Sequence, residues 1–133
     1  MLGAPYVHDG YDEAFIRELL RGLTGLGAKC AVLTGVSFEP GTLGVMSYDA
    51  RADRYFSYFR EEIPVRFHGT GDVFASSMVG ALMNDLSLDE ALKVAVDYTF
   101  ESIALTVTDP GHRWYGVNFE QALPMLLQRL APA

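Results

Sequence analysis

The segment Arg66-Phe67-His68-Gly69-Thr70-Gly71-Asp72-Val73-Phe74-Ala75-Ser76-Ser77 carries the strongest structural signal in this chain. Two glycines flank a threonine, an aspartate follows, and a long apolar run begins, which predicts a tight loop entering a helix. The first turn of a helix has unpaired backbone N–H groups and a partial positive charge, so it suits an anion. Without a Cβ, Gly69 and Gly71 let the backbone come close to a phosphate. An anion cradle with the carboxylate of Asp72 beside it is what phosphoryl transfer to a hydroxyl needs.

Composition narrows the class of protein. The chain has 133 residues, half of them hydrophobic and 20% charged, which predicts one globular domain over residues 1–133. The net charge of −7 and the lack of a basic stripe argue against nucleic acid and anionic membranes as partners. One cysteine, Cys30, cannot form a disulfide within the chain, and we expect it to be a small buried hydrophobe. Without a signal-peptide pattern or a long apolar span, we expect a cytoplasmic protein.

The first half predicts a helix followed by a strand and a second ligand contact. Asp12 is the expected N-cap of the helix, which Gly25 and Gly27 end. Lys29 to Leu33 does not alternate, which is typical of a parallel strand covered on both faces. It leads into Thr34-Gly35-Val36-Ser37, and ligands of open α/β sheets bind beyond the carboxyl ends of strands.

A hairpin and three helices follow. Residues 43–48 and 54–60 are the expected strands of the hairpin. The helix after Asp72 is apolar nearly all round, so we expect it in the interior. Ser87 opens the next helix with a capping box, and Asp109-Pro110-Gly111 ends it. Asn118 is the expected cap of a last turn before a short helix over 124–130. No upstream strand is present to pair with the first one, so the sheet is expected to be incomplete.

Several other residues have ordinary interpretations. Asp97 and Glu101 lie four apart on a helix and are expected to face solvent. Glu61-Glu62 is expected to be a solvated turn, and the aromatic residues at 55–59 are expected to serve packing. His68 is expected to be an ordinary loop residue, with a phosphate contact as the alternative. On its four letters alone, Gly69-Thr70-Gly71-Asp72 also fits a plain turn with an N-cap, and it lacks the Gly-Lys-Ser/Thr ending of a Walker A loop.

Together these residues resemble a known superfamily. Phe67 to Ser76 is similar to the Gly-Thr/Ser-Gly-Asp signature of ribokinase-like vitamin and sugar kinases. Three further runs resemble pyridoxal/pyridoxamine kinases: Val32-Leu33-Thr34-Gly35-Val36-Ser37-Phe38, Leu43-Gly44-Val45 and Tyr115-Gly116-Val117-Asn118-Phe119-Glu120. The resemblance implies an α/β fold, the ribokinase-like three-layer αβα sandwich, of which this chain is the C-terminal half with an incomplete sheet.

The resemblance also implies roles for individual residues. Asp72 is the catalytic base of the family motif, and Gly69, Thr70 and Gly71 form its anion hole. Thr34, Gly35 and Val36 are the implied ATP-binding residues, and no metal ligand is assigned within this chain. The implied activity is ATP- and Mg²⁺-dependent phosphorylation of the hydroxymethyl group of pyridoxal, pyridoxamine or pyridoxine.

Family members are longer than this chain, and their N-terminal half supplies most of the sheet, the vitamin pocket and an acidic motif that helps to place Mg²⁺. We therefore expect a homodimer or association with an N-terminal half. Two alternatives stay open. One is a hydroxymethylpyrimidine kinase of thiamin synthesis, and the other is an inactive nucleotide-binding or self-associating fragment.

Overall fold

The structure is a computed structural model that describes residues 10–131. It contains four α-helices, three strands and one 3-10 helix in this order: α1 Glu13–Gly25, β1 Cys30–Val36, β2 Thr42–Asp49, β3 Arg54–Glu61, α2 Thr70–Met83, α3 Leu88–Val107, the 3-10 helix Phe119–Ala122 and α4 Leu123–Leu130. These elements form two compact units, divided between Glu61 and Glu62. The first unit holds α1 and the sheet, and the second holds the remaining helices. That the chain is one domain stays a prediction.

Helix α1 begins and ends where the sequence predicts. The side chain of Asp12 accepts a hydrogen bond from the backbone N–H of Phe15 at 2.9 Å, which caps the helix. Ile16 and Leu20 are buried and belong to a core cluster that also contains Met46 of β2. The apolar stripe of α1 thus packs on the sheet, and the prediction of this amphipathic helix is confirmed.

The sheet is antiparallel, in the order β1-β2-β3. The hairpin prediction is confirmed to within one residue at each strand end. The prediction that the first strand is parallel and covered on both faces is wrong for the part of the chain described, because β1 pairs only with β2 there. Cys30, at the start of this edge strand, is exposed, so its predicted burial is also wrong.

A β-bulge interrupts β1 near its end. The register shifts between Thr34 and Val36, and Gly35 has a left-handed backbone with φ of 68°. The extra residue of a bulge often requires this conformation, which glycine adopts at little cost. Thr34 and Gly35 therefore lie within β1. The prediction that they belong to a loop after the strand is wrong.

Helix α2 packs on α3 through one narrow face. Ser77 and Ala81 are its buried residues, and Ala81 forms a core cluster with Ala91 and Val94 of α3. Small side chains at this contact let the two helices approach closely. The prediction that α2 is an interior helix is wrong for the described residues: Val79 is 52% exposed and Met83 is 79% exposed. Its apolar composition therefore does not report burial on all sides.

Helix α3 begins as predicted, and α4 begins one residue before its predicted start. Ser87 accepts a hydrogen bond from the backbone N–H of Glu90 at 3.2 Å, which caps α3. Asp97 of α3 forms an ion pair with Arg129 of α4 at 2.9 Å and is largely buried, so the prediction of a solvated Asp97 is wrong. Over residues 10–131 no helix has the length and apolar character needed to cross a membrane.

Candidate active site

The N-terminus of α2 is open to solvent and uncapped. Gly69 precedes the helix with a left-handed φ of 87°, and no described side chain accepts a hydrogen bond at this end. The carbonyl of Gly69 accepts the first helical bond, from the N–H of Val73 at 3.0 Å. The N–H groups of Thr70, Gly71 and Asp72 precede this bond, so they have no partner within the helix. These three N–H groups can donate hydrogen bonds to a bound anion.

Asp72 lies in the first turn of α2 and faces a cavity. The cavity has a volume of about 710 Å³, and Gly69, Asp72 and Val73 line it from α2, together with His68 from the preceding loop. This volume is within the usual range for small-molecule sites. The structure therefore places the predicted carboxylate and the start of the predicted anion hole on one cavity.

The rest of the cavity lining comes from the segment between α3 and α4. Asp109, Arg113, Tyr115, Asn118 and Glu120 are among its lining residues. Residues 110–117 are called the cavity loop below. The cavity lining thus includes three acidic residues, Asp72, Asp109 and Glu120, and one basic residue, Arg113.

Asp109 and Asn118 join the two ends of the cavity loop. The amide nitrogen of Asn118 donates to Oδ2 of Asp109 at 2.7 Å, and the backbone N–H of Gly111 donates to Oδ1 at 2.8 Å. The bond from Gly111 has the larger effect on the pKa of the Asp109 carboxyl, and together the two bonds lower it below its usual value. The prediction that Asn118 caps the following turn is wrong, because its side chain makes no capping bond there and is engaged by Asp109.

Aromatic contacts connect the cavity loop to the loop that enters α2. The rings of Phe67 and His112 meet edge to face with centroids 5.6 Å apart. The rings of His68 and Trp114 meet in the same way at 6.4 Å. The residues just before Gly69 thus touch the cavity loop directly.

Within residues 10–131, no group of three or more His, Cys, Asp or Glu side chains is arranged to hold a metal ion. Mg²⁺ commonly uses one or two carboxylates together with the phosphates of its substrate. The cavity lining includes three acidic residues, Asp72, Asp109 and Glu120, and we assign no metal ligand among them.

The predicted ATP-binding residues Thr34, Gly35 and Val36 belong to the unit that contains the sheet. Thr34 and Gly35 are exposed, whereas Val36 is 2% exposed, with its side chain in the core. A ligand contact at Val36 would therefore involve its backbone. The role of all three in nucleotide binding stays a prediction.

Sequence reasoning missed the contribution of the cavity loop. The sequence pattern of Asp109-Pro110-Gly111 predicts only the end of a helix, and no pattern indicates a role for Arg113. One signal was available, because Tyr115 to Glu120 is among the runs that resemble pyridoxal kinases. That run indicated a family element without indicating which side chains reach the cavity.

Comparison with known proteins identifies the family to which this fold belongs. The sequence profile of the phosphomethylpyrimidine kinase family matches residues 8–118, and the chain belongs to this family. Its fold is part of the ribokinase-like fold of pyridoxal kinases. No curated protein matches the chain.

Solved structures with the same fold are more than twice as long as this chain. A protein classed as a phosphomethylpyrimidine kinase, from Bacteroides thetaiotaomicron and crystallised with pyridoxal, is 31% identical with a TM-score of 0.80; the match covers 92% of this chain and 43% of that one. Another crystal form of that protein has a TM-score of 0.83 at 29% identity and covers 97% and 43%. Pyridoxal kinase from Leishmania donovani, in complex with ADP and pyridoxine, shows the fold at 21% identity and a TM-score of 0.74, over 89% and 42%.

Proposed function

We propose that this chain supplies the phosphate-handling part of an ATP-dependent kinase that phosphorylates the hydroxymethyl group of a vitamin B6 compound. The observation that carries the proposal is the uncapped N-terminus of α2, with Asp72 on the same cavity. A kinase of this type needs donors for a transferring phosphoryl group and a base near the substrate hydroxyl. Pyridoxal, present in the crystals of the 31% identical protein, supports this class of substrate.

The proposed mechanism gives each group one task. The carboxylate of Asp72 takes the proton from the substrate hydroxyl as its oxygen attacks the γ-phosphorus of ATP. The bond from this phosphorus to the bridging oxygen breaks, and ADP leaves. The N–H groups of Thr70, Gly71 and Asp72 stabilise the negative charge on the transferring group. Mg²⁺ bound to the nucleotide would neutralise the phosphates, and Thr34 and Gly35 would add contacts to them.

Replacement of Asp72 tests the role of the base. Asp72→Asn keeps the size and polarity of the side chain but cannot accept the proton, so we expect kcat to fall by about 10²- to 10⁴-fold. Binding of MgADP, measured by calorimetry, should stay nearly unchanged because the backbone donors remain. Asp85→Asn is the matched control, since Asp85 lies beyond the other end of α2 and outside the cavity. Equal turnover by Asp72→Asn and the wild type would refute the role of Asp72.

A hydroxymethylpyrimidine kinase is the second candidate. The family profile that matches residues 8–118 carries a phosphomethylpyrimidine kinase description, which favours it. Both reactions phosphorylate a hydroxymethyl group on a heterocyclic ring, so the same base and donors serve either one. Comparison of kcat/KM for pyridoxal and hydroxymethylpyrimidine separates the two candidates.

The chain could also act without catalysis, as a nucleotide-binding and self-associating fragment. The observation behind this candidate is the exposed apolar side of α2, with Val79, Leu82 and Met83. Binding of MgATP without turnover of either vitamin compound would favour it. We infer further that the protein is cytoplasmic, in keeping with small soluble substrates.

A further inference from the structure

The two ends of the cavity loop are fixed to the body of α3. The backbone N–H of Asn118 donates to Oγ1 of Thr106 at 2.7 Å. Thr106 is fully buried, and its hydroxyl donates in turn to the carbonyl of Ser102 at 2.6 Å. At the other end of the loop, the N–H of Asp109 donates to the carbonyl of Thr106 at 3.2 Å. The backbone is thus anchored at both ends on one buried residue.

The side-chain bond between Asp109 and Asn118 is a separate connection on the cavity side. Both residues are half-buried and line the cavity, whereas Thr106 does not. A charge-assisted bond of 2.7 Å is stronger than a neutral one. The bonds to Thr106 hold both ends of the loop on α3 without this side-chain bond. The Asp109–Asn118 bond joins the same two ends where they line the cavity.

The loop held in this way contacts the residues that precede the anion hole. His112 and Trp114 meet Phe67 and His68, and His68 is next to Gly69. Arg113 and Tyr115, from the same loop, line the cavity that Asp72 faces. A change in the loop path would therefore move cavity-lining groups and the entry to α2 together.

We propose that Asp109 and Asn118 are a positioning pair, which holds the cavity loop in place for binding of the nucleotide and substrate. The identity of the ligand rests on the proposed function. The pair acts through the loop, and neither residue takes part in the transfer itself. Small displacements of groups that position a substrate have large effects on binding and rate.

Trp114 makes the proposal measurable without a ligand. It is the single tryptophan of the chain, it lies in the cavity loop, and its side chain is 79% exposed. Time-resolved fluorescence anisotropy of the whole protein therefore reports motion of this loop. In Asn118→Ala we expect faster depolarisation of Trp114 and affinity for MgADP about tenfold weaker than in the wild type. Circular dichroism should show the same helix content.

Three further variants make the test specific. Asn84→Ala removes an amide that donates to the carbonyl of Gly80 at 2.8 Å, outside the cavity, and should match the wild type in both readouts. Asp109→Asn combined with Asn118→Asp again pairs a donor with an acceptor, and should restore most of the affinity. Asn118→Ser keeps a polar side chain too short to reach Asp109, and it serves if Asn118→Ala does not fold.

The outcomes separate this inference from the proposed function. A folded Asn118→Ala or Asn118→Ser with wild-type anisotropy and affinity overturns the positioning pair. A lower thermal midpoint with unchanged anisotropy and affinity also overturns the positioning pair, because that result assigns the bond to stability. If the wild type does not bind MgADP, the proposed function fails, and the anisotropy of Trp114 decides whether the pair orders the loop.

Discussion

Gly69 and Gly71 differ in backbone conformation although both precede Asp72. Gly69 has φ of 87° and Gly71 has an ordinary helical φ, and a Cβ at either position would meet no atom within 4 Å. Space is therefore not the reason for glycine at these positions. Gly69 is needed for its left-handed conformation, whereas any requirement at Gly71 comes from what approaches the helix.

This difference predicts opposite effects of two alanine substitutions. Gly69→Ala should lower the free energy of unfolding by about 1–2 kcal/mol, the cost of a side chain in a left-handed conformation. Gly71→Ala should raise it by up to about 1 kcal/mol, because alanine favours the helix. We nevertheless expect Gly71→Ala to weaken MgADP binding, because its Cβ obstructs the approach of a phosphate. Denaturant unfolding and calorimetry measure the two effects, and wild-type affinity in Gly71→Ala would contradict the anion hole.

Sequence reasoning at the scale of residues succeeded where a local pattern determines the geometry. The caps at Asp12 and Ser87 are confirmed because each involves a side chain and a backbone group three residues away. The predictions for Asn118 and Asp97 are wrong because their partners, Asp109 and Arg129, lie 9 and 32 residues away, beyond the reach of a local pattern. A single sequence without tertiary contacts does not reveal such pairs.

The glycine in β2 is required by the close approach of its neighbouring strand. A Cβ on Gly44 would lie 2.7 Å from the Cα of Phe59 and would overlap the carbonyl oxygen of Tyr58. Both atoms belong to the backbone of β3, so a rotamer change cannot relieve the overlap. The strands would have to separate at this point.

Gly44→Ala should therefore destabilise the unit that contains the sheet. We expect a loss of roughly 1–3 kcal/mol in the free energy of unfolding, the usual cost of overpacking a well-packed interior. Gly25→Ala is the control, because Gly25 ends α1 with no atom within 4 Å of an added Cβ. Urea unfolding followed by circular dichroism compares them, and equal midpoints for the two variants would show that β2 and β3 separate at little cost.

The bounds of a strand or helix can be predicted from local sequence, but its burial depends on the elements that pack against it. The hairpin of β2 and β3 was predicted within one residue, since its turn is local in sequence. The environment of β1 and of α2 was wrong, because burial depends on elements that a local pattern does not identify. Apolar composition predicted a covered strand and a covered helix, yet Cys30 and Met83 are exposed.

The molecule as a whole exposes apolar side chains that a folded protein commonly covers. The exposed side of α2 includes Val79 and Met83. The matched structures contain more than half of their length outside the region that this chain covers. Self-association through α2 is the arrangement that we propose for the chain on its own.

Sedimentation equilibrium tests this proposal. We expect the wild type to form a dimer, and Met83→Lys to shift the equilibrium towards the monomer because it places a charge on the apolar side of α2. Leu127→Lys is the matched control, since Leu127 is 64% exposed on α4 and should leave the dimer unchanged. A wild type that sediments as a monomer at all concentrations would rule out self-association.

The arrangement of the contacts has a consequence for synthesis on the ribosome. Each strand pairs with the strand next to it in sequence, and α2 packs on α3, which follows it directly. The described elements of the unit with the sheet end at Glu61, so they are translated before residues 69–72. We expect the nascent chain to fold in two successive steps, with the proposed anion hole and base at residues 69–72 emerging after the three strands have paired.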